Sequence, residues 1–145
     1  MPNINACGWK PKIVDVVGIW YQGTWAKNIP SIEREGFHIS FEYPEQYTNG
    51  IYLLGNPWHP RIRSYGDAIL AVDVRGTFID APTEYDWYAF YDKYAGIHDP
   101  REQYDAIRAD YPYPDVDGIR IDIGGDGQML VAWNTHVLRA IGRYS

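Results

Sequence analysis

Four histidines, one cysteine and one glycine-rich loop are the first places to look for chemistry in this sequence of 145 residues. His38, His59, His98 and His136 lie far apart, and no two of them have the spacing of a zinc pair on one helix, so no metal site is expected. Cys7 stands alone beside Gly8, which excludes an internal disulfide and a cysteine zinc cluster. It also falls in a stretch, residues 1–12, that reads as an N-terminal tail, a poor setting for a nucleophile. Gly124-Gly125-Asp126-Gly127 connects two predicted strands and opens no helix, so it lacks the helix N-terminus that makes a phosphate site and reads as a hairpin turn. Asp115-Val116-Asp117 has neither the glycine nor the twelfth-position glutamate of a calcium loop. No Gly-x-Ser-x-Gly elbow exists, so a hydrolase triad has no nucleophile in its usual setting.

The elements that would carry any site follow from periodicity and punctuation. Ile13 to Tyr21, rich in β-branched and aromatic residues, predicts a strand that runs into a polar turn at Gln22-Gly23-Thr24. Asn28 to Glu35, with Pro30 in the first turn and Gly36 after the last, predicts a short amphipathic helix. Phe37 to Tyr43 alternates with period 2 and reads as a strand, with an irregular loop as its rival. Ile51 to Leu54 is a brief strand, Trp58 to Tyr65 one or two helical turns, and Ala68 to Val74 a strand that Thr77 to Ile79 extends or pairs with. Helices are expected over Thr83–Tyr94 and Arg101–Asp110, strands over Gly118–Ile123 and Gln128–Trp133, and a last strand or turn over His136–Ile141. This order, strands before and after a helical stretch, suits a single α+β domain with a mostly antiparallel sheet rather than a doubly wound parallel one.

Composition bounds the partners. Hydrophobic residues at 46% and charged residues at 22% are those of a soluble globular chain. No apolar run approaches the ~20 residues of a bilayer span, and Met1-Pro-Asn-Ile-Asn is not a signal peptide, so a cytoplasmic setting and no membrane partner are expected. The net charge of −6 argues against duplex DNA held by a broad basic face. The charge is uneven. Between Asp80 and Asp117 ten acids face three bases, a net of −7 that leaves +1 elsewhere, and the same stretch holds eight tyrosines or phenylalanines and Trp87. This acidic, tyrosine-rich insert reads as a solvated helical pair with aromatic stems packed on the body. The rival reading is a recognition surface for a basic or sugar-bearing partner.

Three stretches, taken in order, resemble the strand motifs of the ADP-ribosyltransferase fold, the family of diphtheria-type toxins and the poly-ADP-ribose polymerase catalytic domain. Ile19-Trp20-Tyr21-Gln22-Gly23-Thr24, followed by the helix and Gly36-Phe37, is similar to the family's Tyr-His-Gly-Thr strand. Gly50-Ile51-Tyr52-Leu53, with Tyr65-Gly66 downstream, resembles its Gly-Ile-Tyr strand and second tyrosine. Gln128-Met129-Leu130-Val131-Ala132-Trp133-Asn134-Thr135 resembles the C-terminal Glu-Tyr-x-Val-Tyr-Asn-Pro strand, and Val116 to Ile121 the strand before it. The resemblance spans most of residues 17–142 and leaves the acidic insert unmatched.

It implies a split, mostly antiparallel β-sheet core with short helices and a mono-ADP-ribosyltransferase that takes NAD as substrate, needs no metal, releases nicotinamide and modifies a macromolecular acceptor such as a protein. It further implies that Gly23 holds the nicotinamide carboxamide through its backbone, that Tyr52 and Tyr65 sandwich the ring, that Gln22 replaces a ribose-binding histidine, and that Thr24 bonds nearby. Arg61 and Arg63, with His59, would face the pyrophosphate. The sequence departs from the family at the catalytic glutamate, where Met129 stands, with Gln128 before it and Asp126 in the loop. A thioether or neutral amide cannot act as a base, so transfer would rest on Asp126 or on an acid of the acceptor. The alternatives are a catalytically silent NAD- or ADP-ribose-binding or interaction module, and an aromatic-rich carbohydrate-binding module that uses the six tryptophans and thirteen tyrosines.

Overall fold

The computed structural model describes residues 12–42, 49–109, 116–124 and 127–145. Six strands form its frame: β1 (Lys12–Thr24), β2 (Ile51–Leu54), β3 (Ala68–Ala81), β4 (Gly118–Gly124), β5 (Gly127–Ala132) and β6 (Leu138–Arg143). Three short helices accompany them: α1 (Ile29–Glu35), α2 (Glu84–Tyr91) and α3 (Pro100–Ala109). Each helix has a local reason to start or stop. Gly36, at φ 85°, ends α1 and returns its N–H to the Ile32 carbonyl at 2.8 Å. Thr83 Oγ1 accepts the Asp86 amide at 3.2 Å to cap α2, and Asp99 Oδ1 accepts the amides of Arg101 and Glu102 at the start of α3.

The expected open, antiparallel split sheet is not what forms. The strands run β1-β2-β5-β4-β3 and β3 pairs back to β1, so five strands close into a barrel, with β6 added along β3. The barrel is mixed, because β3 and β4 are parallel while the other pairs are antiparallel. The physical reason lies in β3. It continues unbroken through Arg75-Gly76 for 14 residues, so Thr77 to Ile79 extends the strand rather than pairing with it. One edge of it pairs with β1 from Lys12↔Asp80 to Thr24↔Ala68. Its other edge serves β6 at residues 70–74 and β4 at residues 78–81. A strand this long can share its edges between three partners, and that sharing closes the ring.

Asp117 fastens the start of β4. It is buried, and its carboxylate accepts the Thr77 amide at 2.9 Å and Asn134 Nδ2 at 2.8 Å. Its own N–H donates to the Thr77 carbonyl, and its carbonyl accepts the Trp133 amide at 2.7 Å. Gly76 makes room, since a Cβ there would lie 2.8 Å from Asp117 Oδ2. Nothing in the sequence distinguished this aspartate from a solvated acid.

Alternate residues along the strands divide the core in two. Val16, Trp20, Leu53, Leu70, Val72, Val74, Phe78 and Leu130 pack with Ile29 of α1 and with Phe37. Leu54, Ile69, Ile79, Ile119, Ile121, Met129 and Val131 pack instead with Trp87, Tyr94 and Ile107 of the acidic stretch. That stretch supplies the crossover which any parallel pair requires. Its aromatic stems are anchored by polar bonds: Tyr91 donates to Gln103 Oε1 at 2.7 Å, Gln103 Nε2 donates to the Tyr94 carbonyl, and Tyr104 donates to the Trp133 carbonyl. Tyr111, Tyr113 and Asp115 lie outside the described residues. Residues 37–42 form no strand despite their alternation.

Candidate functional site

The barrel has one weakly sewn seam. Among the described residues β1 and β2 meet in a single register pair, Tyr21↔Leu54, whereas β2 and β5 pair at every residue of β2. Past Tyr21 the two strands part, and a cleft of about 190 Å³ opens between them. Gln22, Gly23, Gly50, Ile51, Tyr52 and Tyr65 line it. Tyr65 comes from a 3-10 helix, Pro60–Tyr65, that lies over the end of β1. The approach there is so close that a Cβ on Gly23 would collide with the Ile62 carbonyl oxygen and stand 3.0 Å from Tyr65 Cβ. Gly23 is therefore fixed by packing as well as by position.

The direction of the Gly23 backbone follows from its partner across the ladder. Gly23 lies opposite Ile69. Ile69 donates its N–H to the Ser145 carbonyl at 2.7 Å and accepts the Tyr144 amide at 2.7 Å, so both of its polar groups face away from β1. In an antiparallel ladder such a residue and its opposite number form a non-hydrogen-bonded pair. Gly23 thus turns its own N–H and C=O to the other edge, into the cleft, in phase with Tyr21, which uses that edge to meet Leu54.

The Gln22 side chain, two residues from Trp20 on β1, lies with Trp20 and Leu53 on the other face of the sheet from Tyr52. Gln22 Oε1 is buried and accepts no hydrogen bond among the described residues. A buried acceptor left unmade costs about 1–3 kcal/mol. Tyr52 and Tyr65, both half-buried, have ring centroids 6.3 Å apart with planes tilted by 54°. Rings that sandwich a third lie parallel and about 7 Å apart, twice the ordinary carbon contact distance. The two tyrosines touch each other instead, so no ring fits between them.

The remaining expected site residues are placed less favourably. Met129 is fully buried on the Leu54 side of the sheet, and Gln128 is exposed on the alternate face, so neither lines the cleft. Asp126 lies outside the described residues. Thr24 is buried at the end of β1 beside Gly66 rather than in the cleft lining. Arg61 is bound to Glu84 at 3.2 Å, and Arg63 is exposed with Nη2 3.5 Å from Ser145 Oγ. His59 is buried and caps the 3-10 helix, with Nδ1 accepting the Arg61 amide at 3.2 Å. Gly127 stands where a Cβ would press on the His59 ring. His59 is thus a structural cap and not a group facing a pyrophosphate. No local pattern marks the free edge of β1 at Gly23, because that depends on which way Ile69 turns.

Among the described residues no helix is long and apolar enough to cross a membrane, and no three histidines, cysteines or acids gather as metal ligands. No family model, curated protein or solved structure matches the chain.

Proposed function

We propose that the protein binds NAD at the β1–β2 seam and that no side chain of the described cleft turns it over. The observation that carries this reading is the convergence of Gln22, Gly23, Tyr52 and Tyr65, drawn from three separate elements, on one cleft. Gly23 offers an N–H and a C=O side by side, the complement of a carboxamide. Tyr52 offers its ring to the pyridine. At about 190 Å³ the cleft suits one small ring and leaves the rest of a dinucleotide outside. Breaking the glycosidic bond builds positive charge on the ribose, and catalysis of that step needs a carboxylate close by. The lining residues supply none.

A carbohydrate-binding reading has less behind it. Among the described residues the exposed aromatic rings include Trp58 and Tyr144, which meet edge to face at 6.1 Å rather than as a flat platform, with Trp25 after β1 and Tyr85 on α2.

The test is calorimetric titration of the full chain with NAD, together with chromatographic assay of nicotinamide release with and without cell lysate as a source of acceptors. We expect saturable binding that Tyr52→Ala weakens at least tenfold without loss of the folded circular dichroism spectrum, and no release. Absence of binding by the folded protein overturns the reading. Release that depends on lysate replaces it with transfer to an acceptor that brings its own acid, and release without lysate replaces it with hydrolysis.

A further inference from the structure

A second concavity lies on the outward side of β3 and β6. It measures about 430 Å³ and is lined by Asp73, Arg75, His136, Val137, Leu138 and Arg139. Its charges are set by strand geometry. Asp73 and Arg75 are two residues apart on β3 and so share a face, and Arg139 of β6 lies directly opposite Asp73 in the register. The Asp73 side chain is only 13% exposed, and its Oδ2 is 3.4 Å from Arg75 Nε and 3.4 Å from Arg139 Nη2. The two arginine side chains are 74% and 79% exposed. One sheltered carboxylate thus holds two guanidinium groups, and most of their N–H donors still face solvent.

Two positive charges against one negative leave a local excess of positive charge on a chain whose net charge is −6. An exposed ion network of this kind adds little to stability, so its geometry invites another explanation. Planar guanidinium forks set side by side match the oxygens of a tetrahedral dianion, which each can take in a bidentate fashion. His136 adds a third donor from the 3-10 turn that precedes β6. Val137 and Leu138 line the hollow, and Val17 and Ile19, 72% and 46% exposed, lie opposite Arg75 and Asp73 on β1, with Asp15, bonded to Thr77, one pair further along the same face.

We propose that this concavity binds the phosphoryl group of a small organic phosphate monoester. Arg75 and Arg139 contact the phosphate oxygens, Asp73 acts as the positioning residue that fixes both forks, and the apolar wall meets the organic part. The site is separate from the β1–β2 cleft and does not rest on the NAD reading.

The test is a nuclear magnetic resonance titration of the full chain that follows the arginine Nε–Hε signals. Inorganic phosphate and phenyl phosphate are added separately, with chloride at matched ionic strength as the control. We expect saturable shifts of the Arg75 and Arg139 signals, affinity lowered at least tenfold in Arg75→Gln and in Arg139→Gln, and no change in Arg34→Gln, whose arginine lies on α1. Phenyl phosphate binding several-fold tighter than inorganic phosphate supports the ester, and equal affinity replaces it with free phosphate. Shifts that chloride reproduces, that fail to saturate, or that survive both substitutions overturn the site. Tyr52→Ala leaves these shifts in place, so failure of the NAD cleft and failure of this site are read apart.

Discussion

The two edges of β1 are opposites. On one edge every residue from Lys12 to Thr24 has a register partner in β3, while on the other a single pair, Tyr21↔Leu54, joins β1 to β2. The paired edge builds the core, and the nearly empty edge leaves the Gly23 backbone facing a cleft. Two buried polar residues repeat the contrast. Asp117 has both carboxylate oxygens bonded, whereas Gln22 Oε1 has no acceptor bond among the described residues. A satisfied buried group serves the fold. An unsatisfied one costs stability.

That contrast can be broken by mutation. The largest effect is expected at Asp117→Ala, which strands the Thr77 amide in a buried setting and should cost about 3 kcal/mol. At roughly 2–4 °C per kcal/mol for a chain this size, thermal unfolding should fall by about 6–12 °C with NAD affinity unchanged. A variant that loses affinity without losing stability would mean that Asp117 belongs to the site. Gly23→Val comes next. Its side chain collides with the Ile62 carbonyl, so we expect an overpacking cost of about 1–3 kcal/mol together with loss of NAD binding. Because the 3-10 helix must shift, Tyr52→Ala is the cleaner probe of binding.

Gln22→Leu carries the opposite sign. It removes the orphan acceptor, so stability by chemical denaturation should hold or rise by about 1 kcal/mol. A loss of stability there would show that the acceptor is satisfied in solution. The smallest effect concerns Tyr91, whose phenol is pushed above its usual value of 10.0 mainly by burial, with the Gln103 bond opposing. The folded state then holds that proton more tightly than the unfolded chain does. Stability is therefore complete below pH 10 and declines as pH rises beyond it. Tyr91→Phe should flatten that alkaline decline and cost about 1 kcal/mol at neutral pH.

How much of this was legible beforehand depends on range. β2, α1, the starts of β1 and β3, and the cores of β4 and β5 followed from local periodicity, β-branching and glycine punctuation. The closure did not. Whether Thr77 to Ile79 extends β3 or pairs with it stays open locally, because the role of Gly76, where Asp117 packs against the running strand, is set by a residue far along the chain. Pairing of β3 with β4 is decided across the insert, far beyond any local pattern. Residues 37–42 show how alternation alone can mislead when no partner strand is at hand. At the site, Gln22, Gly23, Tyr52 and Tyr65 were reached through the resemblance and meet in space. Arg61 and His59 were reached the same way and are occupied elsewhere, by Glu84 and by the Arg61 amide. Which face Gln128 takes was invisible, since one residue of register moves a side chain to the other side.

The seam at Tyr21 and Leu54 has a consequence in time as well as in space. A ring fastened by one pair works as a clasp, and its opening should need far less than global unfolding. Amide hydrogens beside it should exchange with solvent orders of magnitude faster than those of Val72 or Val131, deep in their ladders. Whatever fills the cleft would slow that exchange by holding the two lips of the barrel together, so the rate at the clasp reports occupancy without any knowledge of the ligand's chemistry.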